Sequence, residues 1–190
     1  MNWKWIFVPM AALSLSACGI NSVPAAQENA KAKWADVESQ YQRRADLVPN
    51  LVETVKGYAK QEQDTLTAVT EARAKATSIQ VSGDDLTDPA KVQQYAAAQA
   101  QLSPGLGRLL ASVEAYPDLK SDQLFLNLQS QLEGTENRIT VARRDYNEAV
   151  RQYNTTIRTF PDIIGAKLIH GAEPLTPFEA TTEGAEEAPE

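Results

Sequence analysis

Apolar residues in this chain recur three and four apart. Trp34, Val37, Tyr41, Val48, Leu51, Val55 and Tyr58 form one such series, and Leu66, Val69, Ala72 and Ala76 form a second. A spacing near 3.6 predicts amphipathic helices, and no strand-length window alternates with period two. The clearest run lies between about Leu119 and Phe160. There Phe125, Leu128, Leu132, Ile139, Ala142, Tyr146, Ala149, Tyr153 and Phe160 hold one seam, with Val150 and Ile157 beside it. At 1.5 Å per residue such a helix is on the order of 60 Å long.

Turn-forming residues divide the pattern. Gly83-Asp84-Asp85 predicts a loop, and Asp88-Pro89 a helix start, because Asp caps free amides and Pro is tolerated at the first helical position. Tyr116-Pro117-Asp118 predicts the next break, since the residue before a proline is driven out of the α region. A turn is expected between Lys60 and Asp64, Ser103-Pro104-Gly105 is expected to break or kink the third helix, and Pro161 to stop the last. Long helices with one apolar stripe each must bury those stripes against one another. The expected fold is therefore all-α, an antiparallel four-helix bundle with long first and last helices, the first kinked near Pro49. A parallel coiled-coil dimer built on the last helix is the competing arrangement. The regular Pro and Gly breaks favour the intramolecular hairpin, and Tyr146, Tyr153 and Phe160 are read as packing.

The amino terminus follows a different rule. MNWKWIFVPMAALSLSA carries Lys4 in a short head, an apolar run from Trp5 to Leu15, and small residues up to Cys18. This is the grammar of a signal peptide, too short for the ~20 apolar residues that cross a bilayer. Leu15-Ser16-Ala17-Cys18 resembles the bacterial lipobox, with cleavage between Ala17 and Cys18 and lipid on the cysteine. Gly19, where an inner-membrane retention signal commonly has Asp, favours the periplasmic face of the outer membrane. Residues 18–30 are expected to be a polar tether. From Gly171 the chain reads GAEPLTPFEATTEGAEEAPE, acidic and poor in core residues, and is expected to be a disordered tail.

Composition narrows the function. With 190 residues, 43% of them hydrophobic, the chain can bury one sizeable core. A net charge of -7 argues against a nucleic-acid partner, whose phosphates need clustered Lys and Arg. One cysteine permits no internal disulfide. The single histidine, His170, has no second His or Cys at ligand spacing and no Gly-x-Ser-x-Gly element to serve, so neither a metal nor a catalytic residue is assigned, and no cofactor. One polar cluster invites explanation: Arg43, Arg44, Asp46, Pro49 and Asn50 interrupt the first amphipathic stripe. An Arg buried there needs a carboxylate, and Glu133, Glu136 and Asp145 on the long last helix, beside Arg138, Arg143 and Arg144, offer them. A polar layer fixing helix register is the favoured reading; a partner-binding element is the alternative.

Two blocks, WADVESQYQRRADLVPNLVETVKGYA at 34–59 and EAYPDLKSDQLFLNLQSQLEGTENRITVARRDYNEAVRQYNTTIRTFP at 114–161, resemble the LemA family of bacterial envelope proteins. The FEATTEGAEEAP stretch near the end resembles that family's carboxyl-terminal region. The resemblance implies a four-helix bundle on an amino-terminal membrane anchor and no accepted enzymatic activity. Many members use an uncleaved transmembrane helix, whereas this chain has a shorter apolar run ending in Leu-Ser-Ala-Cys. The expected organisation is a lipoprotein signal peptide at 1–17, lipidated cysteine and tether at 18–30, LemA-like bundle at 31–165 and acidic tail at 166–190. The expected function is a membrane-anchored scaffold or adaptor for other envelope proteins. Membrane metalloproteases are partners that the resemblance suggests, since family members are often encoded near them. A ligand-binding protein or hydrolase using a polar cavity at the Pro49 kink is the alternative. A membrane-shaping role, which follows from relatives in bacterial membrane compartments, has little support in the mixed charges near residue 30.

Overall fold

The computed structural model describes residues 18–59 and 61–178, and among them every regular element is helical. Four long helices, α1 (Cys18–Tyr58), α2 (Gln63–Ser78), α3 (Pro89–Val113) and α5 (Gln123–Thr156), are joined by short connections. A 3-10 turn at Asp85–Thr87, a one-turn α4 (Pro117–Lys120), a one-turn α6 (Asp162–Gly165) and a π turn at Ala166–His170 are the other helical elements among the described residues. The break expected at Lys60 to Asp64 falls between Tyr58 and Gln63. The start of α3 follows its sequence signal: the Asp88 carboxylate accepts from the amides of Ala90 and Lys91, with Pro89 in the first turn. Asp122 caps α5 in the same way through the Phe125 amide, 2.9 Å away.

Helix α1 packs chiefly against α5, and α2 against α3 and α1. The contacts fix the directions. Ser22 meets Asp162, Trp34 meets Tyr146, Arg44 meets Glu136 and Tyr58 meets Asp122, so numbers fall along α5 as they rise along α1. These two helices are antiparallel over nearly the whole of α1. Gln99 with Ala76 and Tyr116 with Glu62 show the same for α2 and α3. Gly105 lets those helices approach closely, because a Cβ there would lie 3.3 Å from Val69 Cγ2.

The buried side chains form two separate apolar cores. One gathers Trp34, Val37 and Tyr41 with Ile139, Tyr146 and Tyr153; the other gathers Val48, Leu51 and Val55 with Leu102, Leu109, Leu128 and Leu132. Each fully buried side chain of this kind contributes roughly 1.5–3 kcal/mol relative to exposure.

Several expectations are corrected. Residues 18–30 are the first three turns of α1, with Val23 and Ala30 buried, and not a loose tether. The break offered for Pro104 does not occur, since α3 is continuous through it, as α1 is through Pro49. Phe160 is 71% exposed because α5 ends at Thr156 and the helical phase that placed Phe160 on the seam is lost in the following turn. Tyr58 also leaves the core; at the last turn of α1 its hydroxyl donates to Asp122 at 2.9 Å. The tail expected from 166 is ordered as far as Phe178. Gly171, at φ 54°, takes the left-handed conformation that turns the chain out of the π turn, and residues 171–178 lie extended along α5 with Leu175 and Phe178 buried. Residues 179–190 and the leader 1–17 lie outside the described residues.

Candidate functional site

Among the described residues only three polar side chains are fully buried, Arg44, Gln99 and Thr135, and all sit at the level that separates the two apolar cores. Arg44 is 2% exposed. Its Nη2 donates to the Gln99 carbonyl at 2.8 Å and to Gln99 Oε1 at 3.0 Å; its Nη1 donates to Ser103 Oγ at 3.1 Å and to Glu136 Oε1 at 3.2 Å. The guanidinium also lies 4.9 Å from the Tyr41 ring centre, and Nε is left without a partner. Gln99 passes the network on, its Nε2 donating to the Ala76 carbonyl at 3.0 Å. That carbonyl belongs to the last turn of α2, where the helix supplies no amide of its own. Thr135 closes its hydroxyl on the Gln131 carbonyl at 2.7 Å. One cation thus ties α1, α3 and α5 together and, through Gln99, α2.

A second polar device follows from Pro49. Proline has no amide hydrogen, so the carbonyl four residues earlier, that of Ala45, loses its helical donor. Arg73 of α2 fills the vacancy, its Nε donating to Ala45 at 2.8 Å. The proline therefore creates an acceptor that a neighbouring helix uses. Beside it a groove of about 450 Å³ runs between α1 and α2, lined by Pro49, Val52, Leu66, Thr67 and Arg73 among others. A second, of about 510 Å³, is lined by Glu38, Tyr41, Gln42, Ile79, Tyr95 and others. Glu38 borders it with its carboxyl raised above the usual range by burial.

The third device is a clamp. Asn147 pairs both ways with the backbone of Phe178, donating at 2.9 Å and accepting at 2.7 Å, and Asn154 does the same to Leu175 at 2.8 and 2.9 Å. Tyr146 and Tyr153 donate to the carbonyls of Thr176 and Glu173 at 2.7 and 3.0 Å. Two helical turns rise about 10.5 Å, and three extended residues span roughly 10 Å, so a heptad on α5 matches a three-residue step in the extended segment. Phe178 then stacks on Tyr41 at 6.0 Å beneath the Arg143 guanidinium, 4.4 Å away. Burial pushes the Tyr41, Tyr95 and Tyr146 hydroxyls upward, so all three stay protonated around neutral pH.

Residues 33–190 match the LemA family, which is most of the chain and includes all three devices. The chain belongs to the LemA family. It is 28% identical over 124 residues to Protein LemA of Metamycoplasma hominis, covering 65% of this chain and 52% of that protein. It is 27% identical over 157 residues to Magnetosome protein MamQ 2 of Paramagnetospirillum magneticum, covering 74% and 58%, and 26% over 150 residues to Magnetosome protein MamQ of Magnetospirillum gryphiswaldense, covering 70% and 55%. The chain spans a little over half the length of these relatives.

Within this LemA-family fold the polar cluster singled out in the sequence is divided. Arg44 is buried, while Arg43, Asp46, Pro49 and Asn50 are exposed. Asp46 accepts from Gln42 at 2.7 Å, and the Asn50 carbonyl from Thr54 at 2.8 Å. Of the carboxylates considered as partners Glu136 meets Arg44; Glu133 accepts from Gln129 and Asp145 pairs with Arg144. Cys18 is the first residue of α1; Leu15, Ser16 and Ala17 lie outside the described residues. His170 ends the π turn on the surface. Sequence reasoning missed Gln99, Ser103, Arg73 and the clamp. The clamp had a signal, since Tyr146-Asn147 and Tyr153-Asn154 repeat one dipeptide a heptad apart.

Proposed function

We propose that this protein is a lipid-anchored scaffold or adaptor of the bacterial envelope, with its four long helices as an antiparallel bundle and no catalytic role. Residues 1–17 act as a lipoprotein signal peptide, Cys18 carries the lipid, and the body faces the periplasm from the outer membrane. The observation that carries this reading is that α1 is helical from Cys18 onward, so an anchor on that residue is continuous with the folded body. No described helix is long and apolar enough to cross a membrane, so the body itself supplies no span. Similarity to magnetosome proteins supports membrane association, and the buried Arg44 layer is a structural element that fixes helix register. Partners are other envelope proteins, with membrane metalloproteases a class the family resemblance suggests.

Globomycin tests the anchor: accumulation of an uncleaved precursor is expected, and normal maturation overturns it. Crosslinking in intact cells tests the scaffold. Defined envelope-protein adducts are expected, and recovery of monomer alone, under conditions that capture known complexes, refutes it.

The groove beside Pro49 favours a second reading, a periplasmic ligand-binding protein or hydrolase. Native mass spectrometry of protein purified from the envelope would then show a bound small molecule that Thr67→Trp, filling the groove, removes. A bare mass in both forms ends that reading.

A further inference from the structure

Large apolar side chains are exposed at one corner of the molecule. Phe160 is 71% exposed, Ile164 51%, Leu168 81% and Ile169 59%, all within α6, the π turn and the bend before them. Such a cluster on a surface marks a binding face. Its position says for what. Helix α6 and the π turn pack against α1, and Ser22 Oγ donates to Asp162 at 2.6 Å. Ser22 is four residues from Cys18, about 6 Å along a helix. Had residues 18–30 formed an extended tether, roughly 40 Å of slack would have let the body sit anywhere near the bilayer. With α1 helical from Cys18 no slack remains, and whatever surface holds Cys18 meets this corner first. Charge agrees: residues 158–170 carry Arg158 and Lys167 against one carboxylate, Asp162, in a chain whose net charge is -7. Basic residues flanking an apolar face are the composition of interfacial membrane contacts.

We infer that Phe160, Ile164, Leu168 and Ile169 form a second membrane contact, inserted into the lipid headgroup boundary beside the anchored amino terminus and holding the long helix pair upright from the bilayer. The contact rests on the anchor reading and deepens it, since it turns a flexible mooring into a fixed orientation.

The test uses the full processed protein reconstituted in vesicles of phosphatidylethanolamine and phosphatidylglycerol, with and without brominated acyl chains. Leu168→Trp reports on the corner, and Leu124→Trp, at a residue 58% exposed near the opposite end of α5, serves as the remote control; the parent signal from Trp34, buried in the core, is subtracted. Bromine is expected to quench the Leu168→Trp emission at least twofold and to leave Leu124→Trp unchanged. Protein that floats with the vesicles while Leu168→Trp stays unquenched keeps the anchor and overturns this contact. A blue shift without quenching also overturns it, since the corner is then covered by protein and not lipid. Failure to float overturns anchor and contact together. Unchanged helical circular dichroism in both variants ensures that quenching reports position and not unfolding.

Discussion

Arg44→Ala is the sharpest test of the layer between the two cores. The substitution removes four hydrogen bonds and the contact with the Tyr41 ring, and it leaves Gln99 Oε1, the Gln99 carbonyl and Ser103 Oγ facing a void. The cavity left by a large buried side chain, together with the buried acceptors it leaves unsatisfied, costs about 3–5 kcal/mol. In a domain of 150–250 residues that lowers Tm by roughly 6–20 °C. Glu136→Gln is expected to behave differently. Glu136 is 43% exposed, so its carboxylate is half hydrated, and Arg44 keeps Gln99 and Ser103. The cost there is about 1 kcal/mol, the ordinary worth of one hydrogen bond in a partly wet site. Adding Glu136→Gln to Arg44→Ala changes little further, because without the cation the carboxylate returns to water. Urea unfolding followed by circular dichroism reads all three variants. An Arg44→Ala cost below about 1 kcal/mol, or equal costs for the two single variants, refutes the claim that the whole layer, and not one ion pair, holds the helices in register.

Three further outcomes follow from the same geometry. Arg73→Ala orphans the Ala45 carbonyl and should cost about 1–2 kcal/mol, whereas in a Pro49→Ala background, where residue 49 regains its amide, the cost should shrink toward zero; equal costs in a double-mutant cycle would remove the proline-acceptor argument. Asn147→Ala and Asn154→Ala each release two backbone hydrogen bonds of the extended segment, so hydrogen exchange at the Leu175 and Phe178 amides should accelerate at least tenfold while amides in the middle of α1 keep their protection, and unchanged exchange would show that the clamp does not hold the segment. Glu38 has a carboxyl raised by burial, so the folded state holds its proton more tightly than the unfolded state, and stability falls as pH rises from the unfolded pKa through the folded one. Glu38→Gln should flatten that fall just above the ordinary carboxylate range in thermal melts, by about that one group's share, and a wild-type slope in the variant would exclude it.

Much of the architecture was legible because helices are local. Period 3.6, the Asp88-Pro89 start, the break at Tyr116-Pro117 and the turn after Tyr58 are properties of short stretches, and backbone geometry answers to them without knowledge of neighbours. The need of a buried Arg44 for a carboxylate was also readable, since a buried cation must be paired. Which carboxylate was not. Glu133, Glu136 and Asp145 are equivalent in the sequence, and only the antiparallel register of α1 against α5 brings Glu136 to Arg44.

Packing between distant segments decided other contacts that the sequence left open. Gln99 and Ser103 look like ordinary polar residues of α3 until the α2–α3 hairpin carries them to the guanidinium. Residues 171–178 look too polar and too short of core residues to fold, and alone they would not; their backbone is ordered because Asn147 and Asn154 offer it partners at matching spacing and because Phe178 finds Tyr41. Residues 18–30 are helical for the same kind of reason, since Val23 and Ala30 are buried in the core that α5 completes. Phe160 reversed in the other direction, from seam to surface, when the helix ended one turn early. By itself the sequence determined the helical stretches after Trp34 and which residue types must be paired; tertiary structure decided the outer ends of the first and last long helices and the partners, because hydrogen bonds and burial between distant segments depend on register, which no local pattern encodes.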